Sequence, residues 1–420
     1  MKKNKIFISI ASYRDPELLP TIEDCLSKAD NPKNLIFGIS REYHPEDGFD
    51  NLSKYQKNKN FKIIDTHYKK SSGVCNSRNK IQKLFNDEEY YLQLDSHHRF
   101  IKGWDTKLIN LLESLKSTKC THPIISSYLP PYEPNSSKDS KVETVWRTYI
   151  DRFMPEGPIF IFPEEIKNWK KKKTPEKARF LSGHCIFSNG SFVKDVPYDP
   201  NLYFHGEESS LAVRAYTHGY DLFHLHRPWI WHFYERSGAK RHWEDSSKWN
   251  KLNKESFQRY RNLLGMDSLK RVNYPKYGLG SKRSLEDYEL YAGISFKDRK
   301  IHQKTIDRTP PPIAKSMTSD YESKLSSMFK YCIDLDKSLF TESDYDVWVM
   351  AFKDSNENEM IRLDAGESEV NHLLQSNPQD NFVRFWREFS TSTIPRKWLV
   401  WPHSKSKGWM NRIEGEVPVA

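Results

Sequence analysis

The sequence predicts an α/β protein: a mostly parallel sheet covered by helices on both faces, followed by a small β-rich, sandwich-like module. Three observations predict it. Strand-like and helix-like segments alternate through the first 130 residues, the pattern of a parallel sheet. The run Thr309-Pro310-Pro311-Pro312 cannot continue a helix or a central strand. Beyond it, strand-like apolar runs recur between polar turns, on the scale of a β-sandwich. A chain of 420 residues suits two domains. We expect them at 1–300 and 317–420, with 301–316 as a proline-rich linker.

The β-branched run at 6–10 reads as a buried strand. Leu18, Leu19, Ile22, Cys25, Leu26 and Ala29 follow at helical spacing, with Pro16 suited to a first turn, which predicts a helix over 16–29. Short strands are expected at 35–39 and 61–64, and a helix over 74–85 through Val74, Ile81, Leu84 and Phe85. The apolar run 90–94 is a strand ending on Asp95; a helix over 104–115 and a strand at 124–128 follow. From 130 to 175 several prolines, a Ser/Asn cluster at 135–137 and the lysines 170–173 read as solvated loop. Order returns with a strand at 180–187, and aromatics and leucines over 244–264 suggest helices. After the prolines, 347–352, 382–386 and 398–401 read as strands.

Composition excludes several classes. At 37% hydrophobic and 14% aromatic residues the chain is no disordered polymer. No apolar run approaches the roughly 18–20 residues of a membrane span. The apolar stretch 6–11 is cut by Tyr13-Arg14-Asp15, short of the about 7–15 residues of a secretory core. Five scattered cysteines without a Cys-x-x-Cys argue against a disulfide framework or zinc knuckle. Free thiols and no export signal place the protein in the cytoplasm. The net charge of +10 suits an anionic partner. No nucleic-acid recognition motif accompanies it, so no nucleic-acid partner is expected.

Four segments carry chemistry. Leu92-Gln93-Leu94-Asp95-Ser96-His97 delivers a carboxylate and an imidazole to the carboxyl end of a strand, the edge at which open α/β sheets bind ligands. An Asp-x-His pair suits Mn²⁺ or Mg²⁺, and such an ion would neutralise a diphosphate. Gly206-Glu207-Glu208 opens a helix, where carboxylates accept hydrogen bonds from sugar hydroxyls; as a plain helix cap the two acids would simply be solvated. His232 lies in the aromatic strand 228–234, either as a satisfied core histidine or as the third ligand beside Asp95 and His97. Ser12-Tyr13-Arg14-Asp15 follows the first strand, where a nucleotide-binding sheet meets base and ribose, and Arg78 follows Gly73 within reach of a diphosphate.

Together these segments resemble the glycosyltransferases that attach N-acetylglucosamine to hydroxyproline of a cytoplasmic polypeptide, and their bacterial relatives. The resemblance spans 5–297: Ser9 to Pro16, Gly73 to Arg78, Gln93 to His97 with Trp104-Asp105, and Gly206-Glu207-Glu208. It closes with Tyr277-Gly278-Leu279-Gly280, Arg283-Ser284, and Tyr288-Glu289 through Gly293-Ile294. It implies a GT-A fold, a UDP-sugar donor, a divalent cation and retention of anomeric configuration. It implies that Asp95, His97 and His232 hold Mn²⁺ or Mg²⁺, and that Glu207, Glu208 and Arg78 are catalytic. Ser12, Tyr13, Arg14, Asp15, Arg78, Asp95, Ser96 and Gly206 would contact the UDP-sugar. The family's usual Ala-Arg is here Ser77-Arg78, and the module after 310 lies outside the resemblance. The expected activity is therefore metal-dependent transfer of a hexosamine, GlcNAc foremost, to a hydroxyl on a glycan or protein, as in surface-polysaccharide synthesis or adhesin modification. The module is expected to dock acceptor, partner or membrane surface, or to self-associate. Two other readings stay open: a zinc hydrolase built from His97, His98, His184, His205 and His232, and a non-catalytic glycan-binding protein.

Overall fold

The computed structural model describes residues 2–417 except 119, 136–138, 155, 236–238, 267–269, 377–380, 392 and 394. Ser136 and Ser137 of the expected loop cluster lie outside the described residues. β1 (Lys2–Tyr13) leads through α1 (Leu18–Lys28) to β2 (Leu35–Tyr43), β3 (Phe61–His67) and α2 (Val74–Gln82). β4 (Glu88–Leu94), a short β5 (His98–Phe100), α3 (Trp104–Lys116) and β6 (Pro123–Ser126) follow. Next come β7 (Trp146–Phe153), β8 (Ile159–Glu165), β9 (Cys185–Asn189), α4 (Glu207–Thr217), β10 (Asp221–Phe223) and β11 (Ile230–His232). Helices α5 (Trp249–Leu264) and α6 (Leu285–Ala292) precede β12 (Lys300–His302).

Seven strands form the main sheet in the order β10-β6-β9-β4-β1-β2-β3. β1 pairs in parallel with both β2 and β4, β3 extends β2 in parallel, and β10 runs parallel to β6. Only β9 is antiparallel to its neighbours. The side chains explain why the sheet is covered on both faces. Ile6, Ile8 and Ile10 pack with Leu18, Ile22, Leu108 and Leu112 of α1 and α3, whereas Phe7 packs with Ile81 and Ala212 of α2 and α4. Both sets are fully buried, as a parallel sheet requires. The strand order turns around at β1, so the carboxyl ends of β1 and β4 open a crevice between diverging loops.

Two expectations change. The stretch read as solvated loop contains a hairpin, β7 paired antiparallel with β8, whose register slips between Phe160 and Ile161. That irregularity, with Pro158 and Pro163 beside it, breaks the alternation by which such strands are read. The strand read at 180–187 starts only at Cys185, because a Ser182–Cys185 bridge closes a turn after buried Phe180 and Leu181.

The C-terminal part is β-rich. β13 (Leu325–Asp336), β14 (Tyr345–Lys353), α7 (Glu367–Gln375), β15 (Phe382–Thr391), β16 (Lys397–Ser404) and β17 (Gly408–Trp409) complete the labelled elements. β13 pairs with β15 over ten residues and also with β12, so this sheet draws strands from both sides of the proline run. A second sheet is built on β14 and β16. Ile333, Leu335, Trp348, Met350, Phe352, Val383, Phe385 and Val400 meet between the two sheets. Residues 301–316 include a short helix, Gln303–Ile306, and Ile313 donates its N–H to Tyr291 O of α6. Among the described residues no helix is long and apolar enough to cross a membrane.

Candidate active site

β4 ends at Leu94, and the chain then turns through Asp95-Ser96-His97 into β5. Thr21 of α1 pins that turn: its hydroxyl accepts the His98 N–H at 2.8 Å and lies 3.0 Å from Ser96 O, to which it donates. β5 pairs with β11 so that His232 stands opposite His98. The ribbon therefore carries His232 to Asp95, across 137 residues of sequence. His232 Nε2 lies 3.4 Å and His97 Nε2 3.8 Å from the same oxygen, Asp95 Oδ2.

The donor chemistry tests whether a metal fits. Asp15, 0% exposed, takes the His97 Nδ1–H on Oδ2 at 2.7 Å and the Ser96 hydroxyl on the same atom at 2.7 Å. With its proton on Nδ1, His97 turns a bare lone pair on Nε2 toward a carboxylate oxygen. Two facing lone pairs call for a cation between them, and a carboxylate behind a ligating histidine is the usual way such a ring is oriented. Asp95, His97 and His232 offer ligand atoms that all lie within 4.8 Å of one another. Burial would raise the Asp95 carboxyl, but the His232 contact and the charge of Arg78 hold it well below the usual range. The three residues fit a divalent cation of the Mn²⁺ or Mg²⁺ type.

Arg78 of α2 is 1% exposed, and each of its three nitrogens has a protein oxygen within 3.3 Å. Nη2 donates to Asp95 Oδ1 at 2.7 Å, Nη1 to Leu94 O at 3.3 Å, and Nε lies 3.3 Å from Glu207 Oε1. The same Glu207 oxygen accepts the Tyr198 hydroxyl at 2.7 Å. Glu208 accepts the Gly183 N–H at 2.7 Å, and burial pushes its carboxyl up to about 7. Both glutamates begin α4 after Gly206, whose φ of +91° and Tyr260 ring, 2.8 Å from where a Cβ would stand, explain the glycine.

A cavity of about 440 Å³ opens at this point. Of the residues expected in the site, Ser12, Tyr13, Arg78, Asp95, Ser96, His97, Gly206, Glu207, Glu208 and His232 line it. Arg14 and Asp15 do not. Asp15 stands behind His97, and Arg14 ties Asp47 to Asp245 through bonds of 2.7 and 2.8 Å. Sequence reasoning missed Glu42, which accepts hydroxyls from Ser71 and Ser77, and Ile159, Phe160 and Ile161 of the hairpin. It also missed Lys240, Arg241 and Trp243, just before the predicted helical region. The adjacent basic pair Lys240-Arg241, eight residues past His232, was the available clue.

The other histidines do not join the three. His98 Nε2 accepts the Asp95 N–H at 3.2 Å, and His184 Nε2 accepts the Leu129 N–H at 3.1 Å. Burial holds both rings well below the ordinary imidazole range, so they are neutral backbone acceptors. His205 packs instead against Phe160 and Phe204.

Many solved structures resemble the chain, among them the following three. GalNAc-T7 with UDP, GalNAc and Mn²⁺ matches with a TM-score of 0.49 at 13% identity, over 68% of this chain and 56% of that one. Residues 1–349 of TarS from S. aureus, with UDP-GlcNAc, match with a TM-score of 0.37 at 13% identity, over 59% and 64%. The mannosyltransferase PcManGT from Pyrobaculum calidifontis, with GDP-Man and Mn²⁺, matches with a TM-score of 0.38 at 8% identity, over 56% and 58%. The chain thus spans little more than half the length of GalNAc-T7. No curated protein matches the sequence. The family described as Glycosyltransferase (GlcNAc) matches residues 5–56 and 46–298. Those residues hold the main sheet, but for the first three residues of β1, and every group lining the cavity, and the chain belongs to that glycosyltransferase family.

Proposed function

We propose that the protein is a divalent-cation-dependent transferase that moves a hexosamine, GlcNAc, from UDP to a hydroxyl of a glycan or polypeptide, with retention at the anomeric carbon. The observation that carries this reading is the convergence of His97 Nε2 and His232 Nε2 on one oxygen of Asp95, in the lining of the cavity. The family description supports the sugar, and the resemblance stated above supports retention and a hydroxyproline-type acceptor as one candidate. We assign transfer to residues 1–300 and an accessory role to 317–420.

A cation held by Asp95, His97 and His232 would neutralise the diphosphate as it departs. The chain's own residues do the rest. Ser12 and Tyr13, at the end of β1, receive the nucleoside beside Glu42. Arg78 fixes the carboxylates of Asp95 and Glu207, and so acts on the donor through them. Lys240 and Arg241 bring the further positive charge of the cavity lining to the phosphates. Glu207 and Glu208 orient sugar hydroxyls. The acceptor oxygen bonds to the anomeric carbon while the bond from that carbon to the diphosphate oxygen breaks, and the acceptor proton passes to the departing diphosphate.

The test is release of UDP from UDP-GlcNAc, UDP-GalNAc and UDP-glucose with Mn²⁺ present. UDP-GlcNAc is expected to be preferred, EDTA to stop turnover, and Asp95→Ala and His97→Ala to abolish it more completely than Glu208→Ala. Wild-type turnover by Asp95→Ala would overturn the metal assignment. Proton NMR of the product reads the anomeric configuration.

A further inference from the structure

Charge is divided unevenly along the chain. Residues 1–316 carry 54 basic and 39 acidic side chains, whereas 317–420 carry 12 basic and 17 acidic. The β-rich part is therefore net acidic and repels nucleic acid and anionic bilayers alike.

On the outer side of its β14–β16 sheet stands an aromatic cluster. Trp401 and His403 lie two residues apart on β16 and so point the same way, opposite to the core residue Val400. β17 sets Trp409 directly across from His403. The two indole centroids are 4.4 Å apart at 33°, and the His403 ring is 4.8 Å from Trp409. Trp409 is 49% exposed.

Hydrogen bonds tie down two of the three rings, and the border of the cluster is polar. Trp401 Nε1 donates to Met410 O at 2.9 Å, which anchors the edge of the ring. His403 Nδ1 pairs with Asp346 Oδ1 at 2.7 Å, and the Arg412 guanidinium lies 4.3 Å from the Trp401 centroid. Holding Trp401 and His403 in place before a ligand arrives lowers the entropy lost on binding. The matching chemistry has C–H faces to lie on an indole and hydroxyl edges to meet a carboxylate, an imidazole and a guanidinium; a pyranose ring has both. A second protein copy would need roughly 800 Å² from each partner. The apolar area here is two indoles, bordered by the Asp346–His403 and Lys405–Glu367 pairs. A bilayer needs a broad apolar face flanked by cations.

We infer that Trp401, His403 and Trp409, with Asp346 and Arg412, form a second binding site, for a neutral saccharide chain, distinct from the cavity. The site stands whether or not the cavity transfers sugar.

The full-length protein, with its cavity saturated by UDP and Mn²⁺, is titrated with chitotriose and with cellotriose, followed by tryptophan fluorescence and saturation-transfer NMR. At least one oligosaccharide is expected to bind, about tenfold more weakly to Trp409→Ala and unchanged to Trp386→Ala, whose indole is 51% exposed on β15. Thermal melts check that both variants fold. Binding that survives Trp409→Ala overturns the inference, as does failure of both sugars to bind at millimolar concentration. Trp409-dependent self-association in light scattering, or Trp409-dependent retention on phosphatidylglycerol vesicles, without saccharide binding, assigns the face to another occupant and overturns it too.

Discussion

Asp15 takes two hydrogen bonds on one buried oxygen, from His97 and from Ser96, and so sets which nitrogen of His97 faces the cavity. Asp15→Ala is expected to raise the Mn²⁺ concentration for half-maximal activity about 10–100-fold, the usual cost of losing such a partner, with the fold intact by circular dichroism. Arg78 is held between Asp95 and Glu207 inside the protein. Arg78→Ala leaves two carboxylates without their counter-charge and is expected to cost on the order of 3–5 kcal/mol in urea unfolding, beyond any loss of turnover. Asp95 and His97 were legible in sequence because a strand run of apolar residues ends on them. The role of Asp15 was not: a contact spanning 82 residues leaves no local trace, and the position after β1 suggested a nucleotide contact instead. Arg78 was legible as a site residue but not as one already paired, because pairing depends on how deeply α2 sits.

Helix α4 carries two glutamates with raised carboxyls, Glu207 and Glu208, and α6 carries a third, the half-buried Glu289. In α6, burial pushes Glu289 up to about 7, although its carboxylate accepts the Phe296 N–H at 2.6 Å. The folded protein thus keeps a proton that the unfolded chain releases near 4.5. Stability contributed by this group is fully present below about 4.5, falls as pH rises toward 7, and is flat above. Glu289→Gln is expected to remove that slope and to be more stable than the parent by on the order of 1–3 kcal/mol at pH 8 and little different at pH 4.5, read from urea midpoints at both pH values. Most strands of the main sheet were legible because buried parallel strands are short unbroken apolar runs; β10, only three residues long, was not. The β7–β8 hairpin was not, since prolines and a slipped register mask its alternation, and its omission hid one wall of the cavity.

At the scale of the molecule, the cavity couples ligand binding to folding. UDP with Mn²⁺ is expected to raise the melting temperature, by about 2.7 kcal/mol of stabilisation at a hundredfold excess over the dissociation constant. EDTA should erase most of that shift, and Asp95→Ala should show none; scanning fluorimetry decides both. The β-rich character of the C-terminal region was visible as a change after the prolines. The seam was less visible, because β12 precedes the proline run yet joins the sheet of β13. The hairpin carries this further. Its Ile159, Phe160 and Ile161 border the cavity, while β7 runs along β13 and Tyr149 lies under the Arg308 guanidinium, 3.6 Å from the ring centroid. One ribbon thus braces the rim on its inner flank and leans on the appendage with its outer one. The entrance of the cavity and the appendage therefore share a single support, so a substitution that unseated this ribbon would be felt on both sides of it.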